Sequence, residues 1–492
     1  MNRRIARVAG VAMGLLVVLV AATTYWQTWA RPSLADRQDN EIQRVAQFEI
    51  KRGPILDEGR VLARNRERDV AGRTLYFRRY PQGGLTAHVV GYSTAGRARA
   101  GLEQSMNGVL TGADRDLGSL VQQSLDELGG KPIVGDTVVT TIDLDAQRVA
   151  YEQLGRQCGA VVALDPRTGR LLVMASSPTY DPNLVEERFG EIEAITADCA
   201  PAAPLINRGS AGLYPPGSTF KVVTAASALD SGDYEPGSTF YDPGYCIAYG
   251  KRVNNFDTSR PFGNIDLATA LQYSVNSVFC TIGQRLGARK ILRTAERFGF
   301  YERPPLETPA GERMPSGLYR DGDLWLPERN DAVDAGRMAF GQERLLVTPL
   351  QMAMVAAAIG NGGLQRRNYV VEKIVSPSGK TTSRTKPEVV ERAVKPTTAR
   401  DIQEMMVRAV AAGTGTAAQI AGYRVGGKTG TAETGVEGRN TTWFIAFGGP
   451  EGKRANVAIA VVLENQASTG GATAAPIARA VMQALFASGA NT

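Results

Sequence analysis

Uncharged residues run without a break from Val8 to Ala30, and beyond that point charged and apolar positions are interleaved along the rest of the chain. A helix of these 23 residues would extend roughly 34 Å, enough to cross a bilayer core. Arg3, Arg4 and Arg7 precede the run, and Tyr25, Trp26 and Trp29 close it. That is the charge asymmetry and aromatic belt expected of a single-pass anchor with a cytoplasmic N-terminus and everything after about Arg31 outside the cytoplasm. The small residues Ala21, Ala22 and Thr23 would alternatively suit a cleaved signal peptide; the unbroken apolar length and the bulky aromatics favour a retained anchor.

The pattern then changes twice. From about Ser33 to Thr140 it is charged and turn-rich, with Arg52-Gly53-Pro54-Ile55 and Gly101-Leu102-Glu103 but no catalytic constellation, and reads as a packing and spacing domain. From Thr141 onward helices and strands alternate as in one α/β (α+β) domain. Asp143 to Gln157 predicts a helix. Ala160–Leu164 and Leu171–Ala175, either side of Asp165-Pro166-Arg167-Thr168-Gly169-Arg170, predict a hairpin. Trp443–Phe447 and Val457–Leu463 flank a second turn, and a last helix is expected from about Ala475 to Ala487. The expected division is 1–30 for stub and transmembrane helix, 31–140 for a smaller mixed N-terminal domain, and 141–492 for the α/β domain.

Charge alters little. The formal +7 arises from 56 basic residues interleaved with 49 acidic ones, and no basic block follows an aromatic pattern, so nucleic acid is not an expected partner. Histidine alters much more. His88, the single one, lies in the apolar, strand-like stretch Leu85–Gly91, so zinc sites and Ser-His-Asp triads are both disfavoured and His88 is read as structural. Cys158, Cys199, Cys246 and Cys280 show no CxxC spacing, and outside the cytoplasm three disulfide pairings are open to them. Cys246 precedes and Cys280 follows the motif at Ser274, which makes them a candidate pair.

Three short motifs carry chemistry. In Tyr214-Pro215-Pro216-Gly217-Ser218-Thr219-Phe220-Lys221 the prolines and glycine block any preceding helix, so Ser218 is expected to open the next one with Lys221 on the same face. The apolar residues after Lys221 predict burial, which lowers a lysine pKa and lets a neutral amine take a serine proton in place of the missing histidine. Fifty-six residues on stands Ser274-Val275-Asn276, where Ser274 could pass protons and Asn276 could hold a substrate amide. Gly426-Gly427-Lys428-Thr429-Gly430-Thr431 has strand chemistry; Lys428 and Thr429 could meet a carboxylate, and the Thr431 N–H could join that of Ser218 as an oxyanion donor. Ser-x-x-Lys recurs as Ser383-Arg384-Thr385-Lys386 and Ser-x-Asn as Ser105-Met106-Asn107, so the ordered set carries the weight.

That ordered set resembles the penicillin-binding proteins and serine β-lactamases. Thr141-Ile142-Asp143, the Asp165 hairpin, Gly341-Gln342, Thr348-Pro349-Leu350-Gln351, Trp443-Phe444, Arg52-Gly53 and Gly101-Leu102-Glu103 look like class B transpeptidases, most of all the shorter penicillin-binding protein A group of actinobacteria. The resemblance implies a peptidoglycan D,D-transpeptidase of wall synthesis and division. Ser218 would attack the D-Ala-D-Ala carbonyl of a stem peptide with Lys221 as base. Ser274 would relay a proton to the leaving amine, Asn276 would orient the peptide, and Lys428, Thr429, Gly430 and Thr431 would bind it, with β-lactams trapped at Ser218. No metal or organic cofactor is implied, and division proteins are candidate partners.

A D,D-carboxypeptidase or β-lactamase could use the same motifs with water as acceptor, but neither needs a retained anchor and a separate N-terminal domain. About 110 residues before Thr141 leave too little room for a glycosyltransferase domain. A non-catalytic division scaffold or β-lactam sensor is the alternative of another class, and the intact motifs speak against it.

Overall fold

The computed structural model describes residues 2–25, 48–70, 72–94, 98–114, 133–258, 261–327, 333–436 and 438–489. The N-terminal run is a helix, Asn2–Tyr25, with Val8, Leu15, Leu16 and Val18 more than half exposed. Thr23 and Thr24 donate back to the carbonyls of Leu19 and Val20, each at 2.7 Å, satisfying their hydroxyls within the helix. Among the described residues no helix is long and apolar enough to cross a membrane. Trp26, Trp29 and Ala30, at the far end of the expected span, lie outside the described residues.

A five-stranded antiparallel sheet organises the chain beyond residue 141, in the order Tyr423–Val436, Arg439–Pro450, Val457–Gln466, Gly159–Leu164, Leu171–Ser177. The central stretches of its inner strands, Trp443–Phe447, Val457–Leu463 and Ala160–Leu164, are apolar at every position because both faces are covered. The two-residue period sorts them: Val457, Ile459, Val461 and Leu463 join Val161 and Ala163 in one core. Ala458, Ala460 and Val462 join Ala160, Val162 and Leu164 in the other. Helices Leu144–Leu154 and Ala474–Ala487 cover the first face, while the second packs on Pro349–Gly360. Asp143 caps the Leu144 helix by accepting from the N–H groups of Asp145 and Ala146, and Gly155, at φ 55°, ends it short of the expected Gln157.

The other large sheet draws on both sides of residue 140. Its order is Thr381–Arg384, Val371–Val375, Thr137–Thr140, Ile55–Asp57, Arg60–Val70, Arg73–Arg79, so two strands from late in the chain extend an N-terminal sheet. The second Ser-x-x-Lys lies here: Ser383 is on the edge strand and, like Lys386, exposed, with no helix to bring the two together. His88 corrects the strand reading. It sits in a helical turn, Ala87–Val90, that the left-handed Gly91 stops. Its Nε2 donates to Pro204 O at 2.8 Å, and burial lowers its pKa to about 4, leaving a neutral, packed ring.

Two features lock distant segments together. Fully buried Glu103 accepts from Arg52 Nη2 at 2.9 Å and Arg78 Nε at 2.6 Å. Burial alone would raise its pKa; the two guanidiniums outweigh that and lower it. The four cysteines form two disulfides, Cys158–Cys199 and the candidate pair Cys246–Cys280.

Replacing Glu103 by alanine strands two buried cations and should cost about 3–5 kcal/mol in denaturant unfolding. Because its folded pKa is lowered, the carboxylate's contribution should hold above the unfolded carboxyl pKa and be lost as pH falls through the folded one. A non-reducing peptide map should recover both cystine pairs. Replacing Cys246 and Cys280 together by serine, which opens a loop of 34 residues, should lower stability by about 4 kcal/mol.

Candidate active site

The segment before Ser218 is held on two sides. Tyr214 and Val347 exchange both backbone hydrogen bonds at 2.9 Å, and Gly217 N–H donates to Gly341 O at 3.0 Å. From the sheet, Trp443 Nε1 donates to Pro215 O at 2.9 Å while the Trp443 ring meets Tyr214 edge-on. Gly217 sits at φ 51°, and a Cβ there would lie 2.9 Å from Thr431 O. Only glycine lets this turn approach the Lys428 strand so closely. Gly430 answers from the other side, since a Cβ there would meet Pro216 O at 2.9 Å and Trp443 Cβ at 3.0 Å.

Ser218 does not open the α-helix directly, as the motif suggested. It lies on a 3₁₀ turn, Gly217–Phe220, and the α-helix Lys221–Ser231 follows. A spacing of three across this tight turn puts Ser218 and Lys221 on the same face. Ser218 is half-buried, whereas Lys221 has no exposed surface.

Lys221 Nζ meets three oxygens: Ser274 O at 2.6 Å, Asn276 Oδ1 at 2.7 Å and Ser274 Oγ at 3.2 Å. The first two can only accept. Asn276 is fixed in orientation because its Nδ2 donates to Asn254 O at 2.9 Å. Nζ can donate to all three, and Ser274 Oγ, as a hydroxyl, can also donate when the amine is neutral. Burial first, and then the charge of Lys428, hold the Lys221 pKa well below the ordinary lysine value. The Phe279 ring, 5.5 Å away, completes the pocket.

Ser274 reaches Lys221 twice, through oxygen atoms of main chain and side chain, because it adopts a left-handed conformation, φ 63°. Such a conformation in a non-glycine residue costs about 1 kcal/mol or more and persists only where its surroundings enforce it. Asn276 begins the helix Asn276–Leu286 immediately beyond.

Lys428 lies on the strand Tyr423–Val436, fully buried, with Nζ donating to Thr429 O at 3.0 Å; burial lowers its pKa to about 7. Thr429 Oγ1 is 2.7 Å from Thr414 Oγ1, and Thr431 Oγ1 accepts a long bond from Gly470 N–H at 3.4 Å. The fold thus unites Ser218, Lys221, Ser274, Asn276 and the Lys428–Thr431 strand, which come from three distant stretches of chain.

Other contributors escaped the sequence reading. Asn254 acts through its carbonyl and Phe279 through its ring face, neither of which has a residue signature. Thr414 touches Thr429 only through the fold. For metal binding, Cys158, Cys199 and Glu464 gather in one place, but both thiols are in a disulfide, which leaves a lone carboxylate.

Residues 159–483 match the penicillin binding protein transpeptidase domain, and residues 52–138 the penicillin binding protein A dimerisation domain. The peptidoglycan D,D-transpeptidase PbpA of Mycolicibacterium smegmatis is 35% identical over 510 residues, covering 99% of this chain and all of that protein. PbpA of Mycobacterium tuberculosis is 34% identical over 98% of this chain and 99% of its own length. The solved structure of M. tuberculosis penicillin-binding protein A as its ceftriaxone acyl-enzyme superposes with a TM-score of 0.78 at 31% identity, covering 89% of this chain and 99% of that one. A Ser-x-x-Lys pair with a buried lysine, a Ser-x-Asn turn and a Lys-Thr-Gly strand on this sheet, together with these matches, place the chain in the penicillin-binding protein transpeptidase family.

Proposed function

We propose that this protein is a serine-type peptidoglycan D,D-transpeptidase, with Ser218 as nucleophile and Lys221 as its base. The observation that carries the assignment of roles is the fully buried Lys221, three residues after Ser218, whose Nζ meets oxygens of Ser274 and Asn276 and no carboxylate among the described residues. Ser218 Oγ attacks the carbonyl carbon between the two terminal D-alanines of a stem peptide as its proton passes to Lys221. The C–N bond then breaks, Ser274 Oγ relays a proton to the departing nitrogen, and D-alanine leaves an ester on Ser218. An amine from a second stem peptide attacks that ester, giving the crosslink and restoring the serine proton. Asn276 orients the donor peptide. Lys428 and Thr429 meet the terminal carboxylate, whose charge offsets the burial of Lys428 and favours its protonated form. The N–H groups of Ser218 and Thr431 serve the oxyanion. A β-lactam enters by the same attack and stays as the acyl-enzyme.

The N-terminal helix is the membrane anchor in this reading. Its exposed apolar side chains and internally bonded threonine hydroxyls support that placement, as do the arginines before it. Residues 31–140 act as a non-catalytic pedestal that holds the active site outside the cell membrane.

Fluorescent penicillin should label the chain at Ser218, and Ser218→Ala should abolish labelling with little loss of stability. Lys221→Arg separates a base from an electrostatic prop, because arginine keeps the charge but cannot shed its proton. Near-complete loss of acylation is expected; a rate within about tenfold of the parent, a barrier change of roughly 1.4 kcal/mol, would contradict the base role. In the parent, acylation should rise with pH through the Lys221 pKa, well below the ordinary lysine value of 10.5. Fractionation of native cells should place the intact chain in membranes. A mature N-terminus beyond residue 20 would instead show a cleaved leader.

A further inference from the structure

Between the serine motif and Ser274 the chain makes an excursion. Strands Thr239–Asp242 and Gly263–Asp266 pair at its base, and Tyr245–Ala248 pairs with Lys251–Asn254 at its tip. Asp242, at its root, is fully buried with no cation paired to it among the described residues. It is surrounded by donors instead. Oδ1 accepts from Ser277 Oγ at 2.5 Å and Gly244 N–H at 2.8 Å, and Oδ2 from Phe262 N–H at 2.9 Å. Asn255 Nδ2 donates to both oxygens, at 2.8 and 2.9 Å.

A carboxylate cannot donate, so it dictates the orientation of each partner. Asn255 must turn its amide nitrogen to Asp242, which leaves its Oδ1 for the backbone N–H of Ser277 at 3.1 Å, one of the donors a helix start leaves unpaired. Asn255 is thereby fastened to the residue after Asn276, and the preceding carbonyl, that of Asn254, is the acceptor for Asn276 Nδ2. This bond turns Asn276 Oδ1 toward Lys221. The Cys246–Cys280 disulfide joins the same excursion to the same helix.

We infer that Asp242 and Asn255 are positioning residues for acylation: through Ser277 and the Asn254 carbonyl they set the orientation of Asn276 and so the geometry of Lys221, without touching substrate. This rests on the transpeptidase reading above. Asp242→Asn keeps the shape but turns one acceptor into a donor. Either amide orientation then points an N–H at Phe262 N–H, or at Gly244 N–H and Ser277 Oγ, and the ordering of donors and acceptors fails. Ser277→Ala removes a single link and suits the case in which the first variant does not fold.

The test is the pH dependence of the saturating acylation rate by a chromogenic or fluorescent penicillin, with thermal melting of the same preparations. Folded Asp242→Asn and Ser277→Ala should acylate at least about tenfold more slowly, the scale of one misplaced buried hydrogen bond. Their acidic limb should also move to lower pH. An ammonium at Lys221 needs three acceptors and a neutral amine only two, so loss of Asn276 Oδ1 penalises the protonated form. The other groups facing Lys221, namely Lys428, Ser274 and the Phe279 ring, are unaltered by these variants. Folded variants with the parent's rate and limb would overturn the inference, as would a loss matching only the unfolded fraction. An unreactive parent would overturn both this inference and the transpeptidase reading, whereas a reactive parent with equally reactive variants overturns this one alone.

Discussion

An ammonium group enclosed by protein loses its water, and Lys221 is enclosed entirely. Everything distinctive about the site follows from that burial. Desolvation disfavours the protonated form, Lys428 adds a second positive charge nearby, and no carboxylate is among the partners that meet Nζ. A buried lysine usually gains an acidic partner, which would lock the proton in place. Here the partners are a carbonyl, an amide oxygen and a hydroxyl, which support an amine and leave its basicity available.

Enclosing Lys221 beside the Ser218 turn requires three stretches of chain to converge, and the fold achieves this by removing side chains and by local strain. Gly217 has no room for a Cβ against Thr431 O and Gly430 none against Pro216 O, so the Ser218 turn lies against the Lys428 strand. Ser274 takes up a left-handed conformation, and its neighbours in the turn are enclosed by Lys221, the helix Asn276–Leu286 and the excursion that precedes it. Each is a local departure from relaxed backbone that the surrounding core stabilises.

The sheet supplies that rigidity. Its alternating side chains enter two separate cores, so strand register and helix position are determined together. Trp443 shows the coupling: one side chain is fully buried, packs against Tyr214 and hydrogen-bonds the turn before Ser218. Farther away, Arg52, Arg78 and Glu103 perform the same task with charge, joining the start of the N-terminal sheet to the Gly101–Ser105 helix. Their chemistry is costly to bury and therefore tolerates little displacement.

By itself the sequence singled out the candidate reacting groups. A chain with one histidine, an ordered Ser-x-x-Lys, Ser-x-Asn and Lys-Thr-Gly set, and apolar residues after Lys221 has few other chemistries open to it, and the apolar strands near residues 160 and 460 were legible for the same local reason. The pairing of Cys246 with Cys280 was within reach because both flank one motif. Local pattern misjudged His88, where a glycine stop outweighed an apolar run, and it could not foresee that strands near 371 and 381 extend the N-terminal sheet. Nor could it locate Asn254, Thr414, Asp242 or Asn255 in the site, because their contributions are a carbonyl, a hydroxyl and two orientations that exist only once separate segments meet. Residue type carries intrinsic reactivity, whereas desolvation, hydrogen-bond direction and close approach are properties of neighbours, and neighbours distant in sequence are assigned by the tertiary structure alone.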